Sequence, residues 1–272
     1  MKLIKPYCEI IPQEPGLQGI YKQIELAGRT CYKSEDKITE TSAEDFVNRM
    51  IKSGHDAMLE HGTVYLKMKY GGTNRDESDD IYVYTKNKYS EYETDSYGTY
   101  YITTNLRVLV ENGWLSDLRY LCDPEIPHKK RVTVKFVCDR GISHELVRHR
   151  AFSFAQESSR YCNYSKNKFG NEITCIEPTW YDESEQFIKD SFTSALKEME
   201  KEYFDLLKAG KTAQQARQVL PTALKTEVVM TGFIEDWKHF FSLRCDKAAH
   251  PDMQYLANSL KQQFIENGIP VE

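Results

Sequence analysis

Two short stretches, Val64-Tyr65-Leu66-Lys67-Met68 and Val132-Thr133-Val134-Lys135-Phe136, repeat their inward-facing residues with a period of two, the signature of half-buried strands. Most other apolar residues recur at helical spacing. Over residues 183–209, Phe187, Ile188, Phe192, Ala195, Leu196, Met199, Tyr203, Phe204 and Leu207 mark out a long helix, which Gly210 closes. Shorter helices are expected over 17–27 and 42–53. In the second, Thr41 and Glu44 have capping-box spacing, Phe46, Val47, Met50 and Ile51 form the apolar face, and Gly54 is the stop. Further helices should begin near Thr212, Glu235 and Asp252, with His250 capping or packing beside the last.

Both periods in one chain imply an α+β fold, a central antiparallel or mixed sheet flanked by helices. No repeat, low-complexity tract or Pro/Gly/Ser-rich linker divides the sequence, so a single domain over 1–272 is expected. Residues 71–130 stand apart as a Tyr-rich, acidic segment. Gly71-Gly72 should end the strand before it, and the segment reads as an inserted exposed hairpin followed by a helix over 105–111.

Hydrophobic residues make up 40% and charged residues 28% of the chain, a balance that describes a folded globular protein. The strongest apolar run, from Val132 to Cys138, is broken by Thr133 and Lys135, far short of the roughly 20 residues a membrane span needs. Pro6 and Glu9 interrupt the N-terminus before a secretory core can form, so a cytoplasmic protein is expected. Seven cysteines without a C-x-x-C pair point to buried thiols rather than a disulfide framework. The net charge of -5 offers nucleic acid no global attraction, and the acids of the Tyr-rich segment would repel a phosphate backbone. An anionic ligand must therefore be held by a local cluster of cations.

Such a cluster exists. A strand ending at Val137 or Cys138, a turn at Asp139-Arg140-Gly141 and a short helical stretch from Ser143 lead into Arg148, Arg150 and Arg160, interleaved with Ser153, Ser158 and Ser159. Guanidinium forks with hydroxyl and backbone donors suit phosphate oxygens. A solvated basic loop would show the same composition, but the order of residues is more specific. The string R-H-R-x-x-S-x-x-x-x-S-x-R is complete from Arg148 to Arg160 and resembles the signature of the flavin-dependent thymidylate synthases.

The resemblance covers most of the chain apart from 71–130. Ala27-Gly28-Arg29-Thr30-Cys31-Tyr32 is similar to the family's early arginine-containing segment, and Gly54-His55 through Glu60-His61 to its G-H-x-x-x-x-E-H segment. Ala216-Arg217 through Leu220-Pro221 matches A-R-x-x-L-P, and Trp237 to Arg244 resembles the helix that delivers an active-site arginine. The resemblance implies that dUMP becomes dTMP, with methylenetetrahydrofolate giving the carbon, NADPH-reduced FAD giving the hydride, and no cysteine nucleophile. It implies FAD contacts from His55, Arg148, His149, Arg150, Gln156, Glu235 and His239. It implies dUMP contacts from Glu145, Arg148, Gln156, Glu157, Ser158, Ser159, Arg160 and Arg217, the last from another subunit of a homotetramer. Arg244 would hold the uracil ring and, as a fixed guanidinium facing charge that develops on the ring, would be the catalytic residue.

Departures from the commoner family pattern fall at Ala57, where a hydroxyl residue touches FAD; at Ala155 and Gln156, where asparagine and glutamate are frequent; and at Phe233, where asparagine is frequent. They motivate a rival expectation, a non-catalytic nucleotide- or flavin-binding protein of the same fold. Cys162, two residues past Arg160, could be a nucleophile, but packing is the commoner role for a solitary cysteine. His144-Glu145-Leu146-Val147-Arg148-His149 nearly spells a metalloprotease helix, yet its histidines are five apart, about 140° around a helix, and His61 and His128 have no partners at ligand spacing, so no metal is expected.

Overall fold

The computed structural model describes residues 1–69 and 75–272, and the backbone alone for 75–80. The expected ending of the first strand at Gly71-Gly72 lies outside the described residues. In chain order the elements are β1 (Lys2–Ile4), β2 (Tyr7–Ile11), α1 (Gly16–Tyr32), α2 (Ser42–Ser53), β3 (Thr63–Lys69), α3 (Arg75–Lys86), β4 (Glu91–Thr94), β5 (Thr99–Asn105) and α4 (Leu106–Asn112). There follow β6 (Arg131–Asp139), α5 (Arg140–Leu146), β7 (Ser153–Gln156), β8 (Thr174–Ile176), α6 (Gln186–Lys208), the short α7 (Ala213–Ala216), β9 (Lys225–Phe233), α8 (Ile234–Arg244) and α9 (Pro251–Glu266). This is the α+β architecture expected.

The central sheet has four antiparallel strands in the order β2-β6-β9-β7. Its two faces follow from the strand period. Val134, Phe136 and Cys138 of β6 and Val228 and Met230 of β9 point into one core with Trp237, Phe240 and Phe241 of α8 and Leu256, Leu260 and Phe264 of α9. Val229 points the other way, onto Ala27 of α1 and Ala155 of β7. Trp237 is fully buried and its indole N–H donates to the Val132 carbonyl at 3.1 Å, so truncating it to alanine is expected to cost about 3–5 kcal/mol.

A second core lies under the three-stranded sheet β3-β5-β4, where Leu66 and Ile102 meet Ile20 and Ile24 of α1, Phe46 of α2 and Leu106 of α4. The expected hairpin and helix are both present. Asp95 accepts from the amides of Tyr97 and Thr99, Gly98 supplies the left-handed turn at φ 75°, and Asn105 caps α4 through the Val108 amide. Exposure holds only for β4. β5 pairs with β3 along its whole length, from Thr63 opposite Asn105 to Lys69 opposite Thr99, and Ile102, Thr103 and Thr104 are buried. The helix α3 was not expected; it buries Ile81 and Tyr84, which its acidic and tyrosine-rich neighbours hide in the sequence.

Three local differences have physical reasons. Thr41 makes no capping bond because its backbone, at φ -117° and ψ 0°, is not the extended conformation a cap needs; instead the Ser42 hydroxyl accepts from the Thr39 amide at 2.8 Å. The expected turn at Asp139-Arg140-Gly141 is absent. β6 passes straight into α5, with the Asp139 carboxylate accepting from the Ile142 amide at 2.8 Å. Helix α1 runs on to Tyr32 and ends at Lys33, which sits in the left-handed region at φ 47°. His250 caps α9 as expected, accepting from the Asp252 amide.

Candidate active site

Two helices approach each other over one face of the central sheet. Because β6 and β9 are antiparallel, with Arg131 opposite Phe233 and Asp139 opposite Lys225, α5 and α8 start from opposite ends. Nine strand residues span about 30 Å, while the 11 residues of α8 and 7 of α5 span about 27 Å together. Their C-terminal turns therefore meet, and Arg244 in the last turn of α8 reaches Glu145 in the last turn of α5.

Arg244 is held at three points. Its Nη1 donates to the Glu145 carboxylate at 2.7 Å, its Nη2 to the Glu145 carbonyl at 3.1 Å, and its Nε to His149 Nε2 at 2.9 Å. Both helix C-termini present carbonyl-rich, negative ends, which favour a guanidinium there. Accepting from Arg244 fixes His149 as a neutral imidazole with its proton on Nδ1. Burial, then the charges of Arg244 and His239, push its pKa down to about 4. Phe152 and Phe240 pack against the ring.

Arg244 opens onto a cavity of about 350 Å³ shared with Arg148, His149, Arg150, His239, Phe152 and Asp236. Arg148 and Arg150 are exposed, and neither makes an ion pair among the described residues. A second cavity, of about 510 Å³, adjoins through Arg150, Ala151, Phe152 and Asp236 and reaches Arg107, Arg131 and Phe233. Arg131 donates to the Glu60 carbonyl at 3.0 Å and lies over the Phe233 ring, and burial lowers its pKa to about 10. Gly232 makes room for Phe152: a Cβ there would stand 2.4 Å from the ring.

The serine end of the motif is organised separately. The Gln156 amide donates to the Ser143 hydroxyl at 2.9 Å, and the Ser158 N–H to the Cys31 carbonyl at 2.9 Å. Arg217 reaches the Ser159 hydroxyl at 3.3 Å, and Arg160 donates to Gln214 at 3.1 Å while remaining exposed. Glu157, expected at the nucleotide, is 3% exposed, pairs with Lys225 at 2.8 Å and borders, with Lys33 and Lys225, a pocket of about 460 Å³.

His55 begins a 3-10 turn after Gly54 and lines a third cavity, about 410 Å³, with Ala57, Cys31 and Arg107. In the same wall Asp56 Oδ1 is buried and has no hydrogen-bond partner among the described residues. Glu235 is exposed, pairs with Lys238 at 3.1 Å and lines none of these cavities. One chain thus gathers Glu145, Arg148, His149, Arg150, His239 and Arg244 at one place, Gln156 to Arg160 with Arg217 at another, and His55 at a third. Sequence reasoning missed Arg107, Arg131 and Asp236. No motif marks them: Arg107 pairs with Glu111 and Glu60, Asp236 accepts from the Phe233 amide, and Arg131 reaches the Glu60 carbonyl, and only the fold brings the three to one cavity.

A family model described as "Thymidylate synthase complementing protein" matches residues 128–268. A flavin-dependent thymidylate synthase of Corynebacterium aurimucosum is 26% identical over 250 residues, covering 86% of this chain and 71% of that protein. Its namesake in Mycolicibacterium vanbaalenii is 22% identical over 272 residues, covering 94% and 80%. In Geobacter sulfurreducens the flavin-dependent thymidylate synthase is 34% identical over a shorter 118 residues, covering 43% of this chain and 49% of that protein. The crystal structure of a UMP/dUMP methylase, PolB, from Streptomyces cacaoi bound with 5-Br dUMP aligns at a TM-score of 0.46 and 17% identity over 98% of this chain and 93% of that one. The matched span runs from before the arginine-histidine-arginine string to beyond Arg244, and with flavin-dependent thymidylate synthases aligned over 86% and 94% of this chain it places the chain in the flavin-dependent thymidylate synthase family.

Proposed function

We propose that this chain methylates dUMP at C5 to give dTMP, taking the carbon from methylenetetrahydrofolate and the hydride from FAD reduced by NADPH. One observation carries the reading: Arg244 is oriented by Glu145 and His149 at the mouth of a cavity whose other cations, Arg148 and Arg150, have no ion-pair partner among the described residues. A guanidinium so fixed can meet the polar edge of a pyrimidine and stabilise negative charge as the ring is activated, without reorganising. The neutral His149 keeps the guanidinium aimed and adds no competing charge.

The residues suit FAD. Arg148 and Arg150 offer guanidinium forks to its diphosphate, and the unpartnered Asp56 Oδ1 beside His55 offers an acceptor to a hydroxyl or N–H. When bound, the reduced flavin supplies the hydride that completes the methyl group. Ser158, Ser159, Arg160 and Arg217 hold the nucleotide phosphate, and Arg217 does so for a neighbouring subunit in a homotetramer.

The state of the thiols supports a route without a cysteine nucleophile. Burial raises the pKa of all seven cysteines; Cys162, 1% exposed, is pushed up to about 12. The test is dTMP formation by purified protein with dUMP, methylenetetrahydrofolate, NADPH and FAD. Omitting any one should abolish product. A yellow protein that makes no dTMP with all four present would overturn the catalytic reading in favour of a binding protein.

A further inference from the structure

Beneath the loop 156–160 lie four charged side chains that the reaction does not use. Lys225 Nζ, on β9, bridges Glu157 at 2.8 Å and Glu227 at 2.5 Å; Lys33 Nζ, at the end of α1, reaches Glu227 at 2.9 Å. The set is nearly dry: the side chains of Glu157, Glu227, Lys225 and Lys33 are 3%, 9%, 15% and 19% exposed. Its formal charge sums to zero. Such a cluster is seldom a source of net stability, since desolvation consumes most of the Coulombic gain. What it does offer is directional constraint.

One of these pairs, Lys225–Glu157, reaches the loop directly, while Lys225–Glu227 lies within β9 and Lys33–Glu227 ties β9 to the end of α1. The Glu157 N–H donates to the Glu227 carbonyl at 2.8 Å, and the next amide, Ser158, donates to the Cys31 carbonyl at 2.9 Å. The loop is thus clamped to β9 on one side and to the C-terminus of α1 on the other. Lys33 itself closes α1 in the left-handed conformation, φ 47°, which is uncommon for a residue other than glycine. Its carbonyl accepts from Lys168 at 2.8 Å and its Nζ also pairs with Glu35 at 2.7 Å. Beyond the clamp the loop exposes Arg160 and turns the Ser159 hydroxyl to Arg217.

We propose that the buried quartet Lys33–Glu227–Lys225–Glu157 is a positioning device for the nucleotide-binding loop, with Glu157 the loop's internal anchor rather than a ligand of the substrate. The proposal rests on the reading of residues 158–160 as a phosphate cradle. The charges support it: burial acts to raise the Glu227 pKa, yet Lys225 and Lys33 outweigh it and hold the group down at about 2, so Glu227, the fixed point on β9, carries its full charge at neutral pH. For Glu157 burial prevails and raises the pKa, leaving it dependent on Lys225 to stay ionised.

The decisive variant is Lys225→Met, which removes the bridge while touching neither ligand. With the loop no longer preorganised, the dUMP KM should rise about tenfold, while kcat at saturating dUMP and the flavin spectrum stay within twofold of wild type. Lys225→Arg should restore the wild-type KM. A lone buried carboxylate can prevent folding, so the double variant Glu157→Gln/Lys225→Met, which leaves the Lys33–Glu227 pair intact, is measured beside it and should show the same KM rise. A folded variant with unchanged KM, or one that loses kcat with KM fixed, overturns the proposal. If wild-type protein forms no dTMP, the function reading fails separately. Amide hydrogen exchange at 156–160 then decides the anchor: faster exchange in the variant upholds it and unchanged exchange refutes it.

Discussion

Replacing Arg244 with alanine separates a catalytic role from a structural one, because the structure sets the two costs far apart. Structurally, three hydrogen bonds are lost, all to Glu145 and His149. Glu145 is 25% exposed and can hydrate, and His149 is left a neutral imidazole with one free lone pair. The loss amounts to about 1 kcal/mol for a partly exposed ion pair, which lowers the melting temperature by about 2–4 °C in a chain of this size. Chemically, removing one preorganised donor to developing charge costs about 3–4 kcal/mol, a factor of roughly 10² to 10³ in rate. Single-turnover dTMP formation with prereduced enzyme, read beside a thermal melt, should show a rate reduced by that factor and a melt nearly unchanged. Arg244→Lys should recover only part of the rate, since an ammonium keeps the charge and loses the fork. A folded Arg244→Ala enzyme within about threefold of the wild-type rate would remove Arg244 from the chemistry and return the assignment to its neighbours.

Three further outcomes are expected. His149 and His61 have folded pKa values of about 4 and about 3, below the unfolded value near 6.5. Their contribution to stability is intact above pH 6.5. It falls by about 1.4 kcal/mol per pH unit for each group as the unfolded chain takes up protons first, down to pH 4 for His149 and pH 3 for His61; urea unfolding at pH 7, 6 and 5 should show this decline, and a flat profile would contradict the buried neutral imidazoles. Gly232→Ala drives a methyl into Phe152, which lines both cavities beside Arg150; it should cost about 1–3 kcal/mol in stability and weaken flavin retention on a desalting column, and intact retention would show the ring free to move. Cys162→Ser should keep dTMP formation, the thiol being buried and protonated, whereas loss of product from a folded variant would reinstate a cysteine nucleophile.

What could be read from the sequence followed the range of the interactions. Helix α2 and the strands β3 and β6 were legible because period and stop signals lie within a dozen residues, and Gly54 adopts the φ of 66° that its placement implied. The string from Arg148 to Arg160 pointed to the family, which the comparisons bear out, because order carries information that composition does not. Helix α3 was not legible: its buried Ile81 and Tyr84 make sense only against β3 and the residues around Trp114. Nor was the fate of Glu157, whose neighbours in sequence suggest a ligand but whose partner, Lys225, is 68 residues away. Arg131 likewise owes its place in the second cavity to Glu60, 71 residues earlier, and to Phe233 beyond it.

The meeting of α5 and α8 makes helix length a measured dimension of this protein. Each residue added to α8 would carry Arg244 forward 1.5 Å and swing it through 100°, away from both Glu145 and His149 at once. Exposed side chains of α8 that line none of the cavities described, such as Glu235 and Ser242, are free to drift, but the number of residues between Phe233 and Arg244 is not. Over evolutionary time that interval should behave as a ruler: substitutions accumulate along it, while insertions and deletions collect in the connections before β6 and after β7.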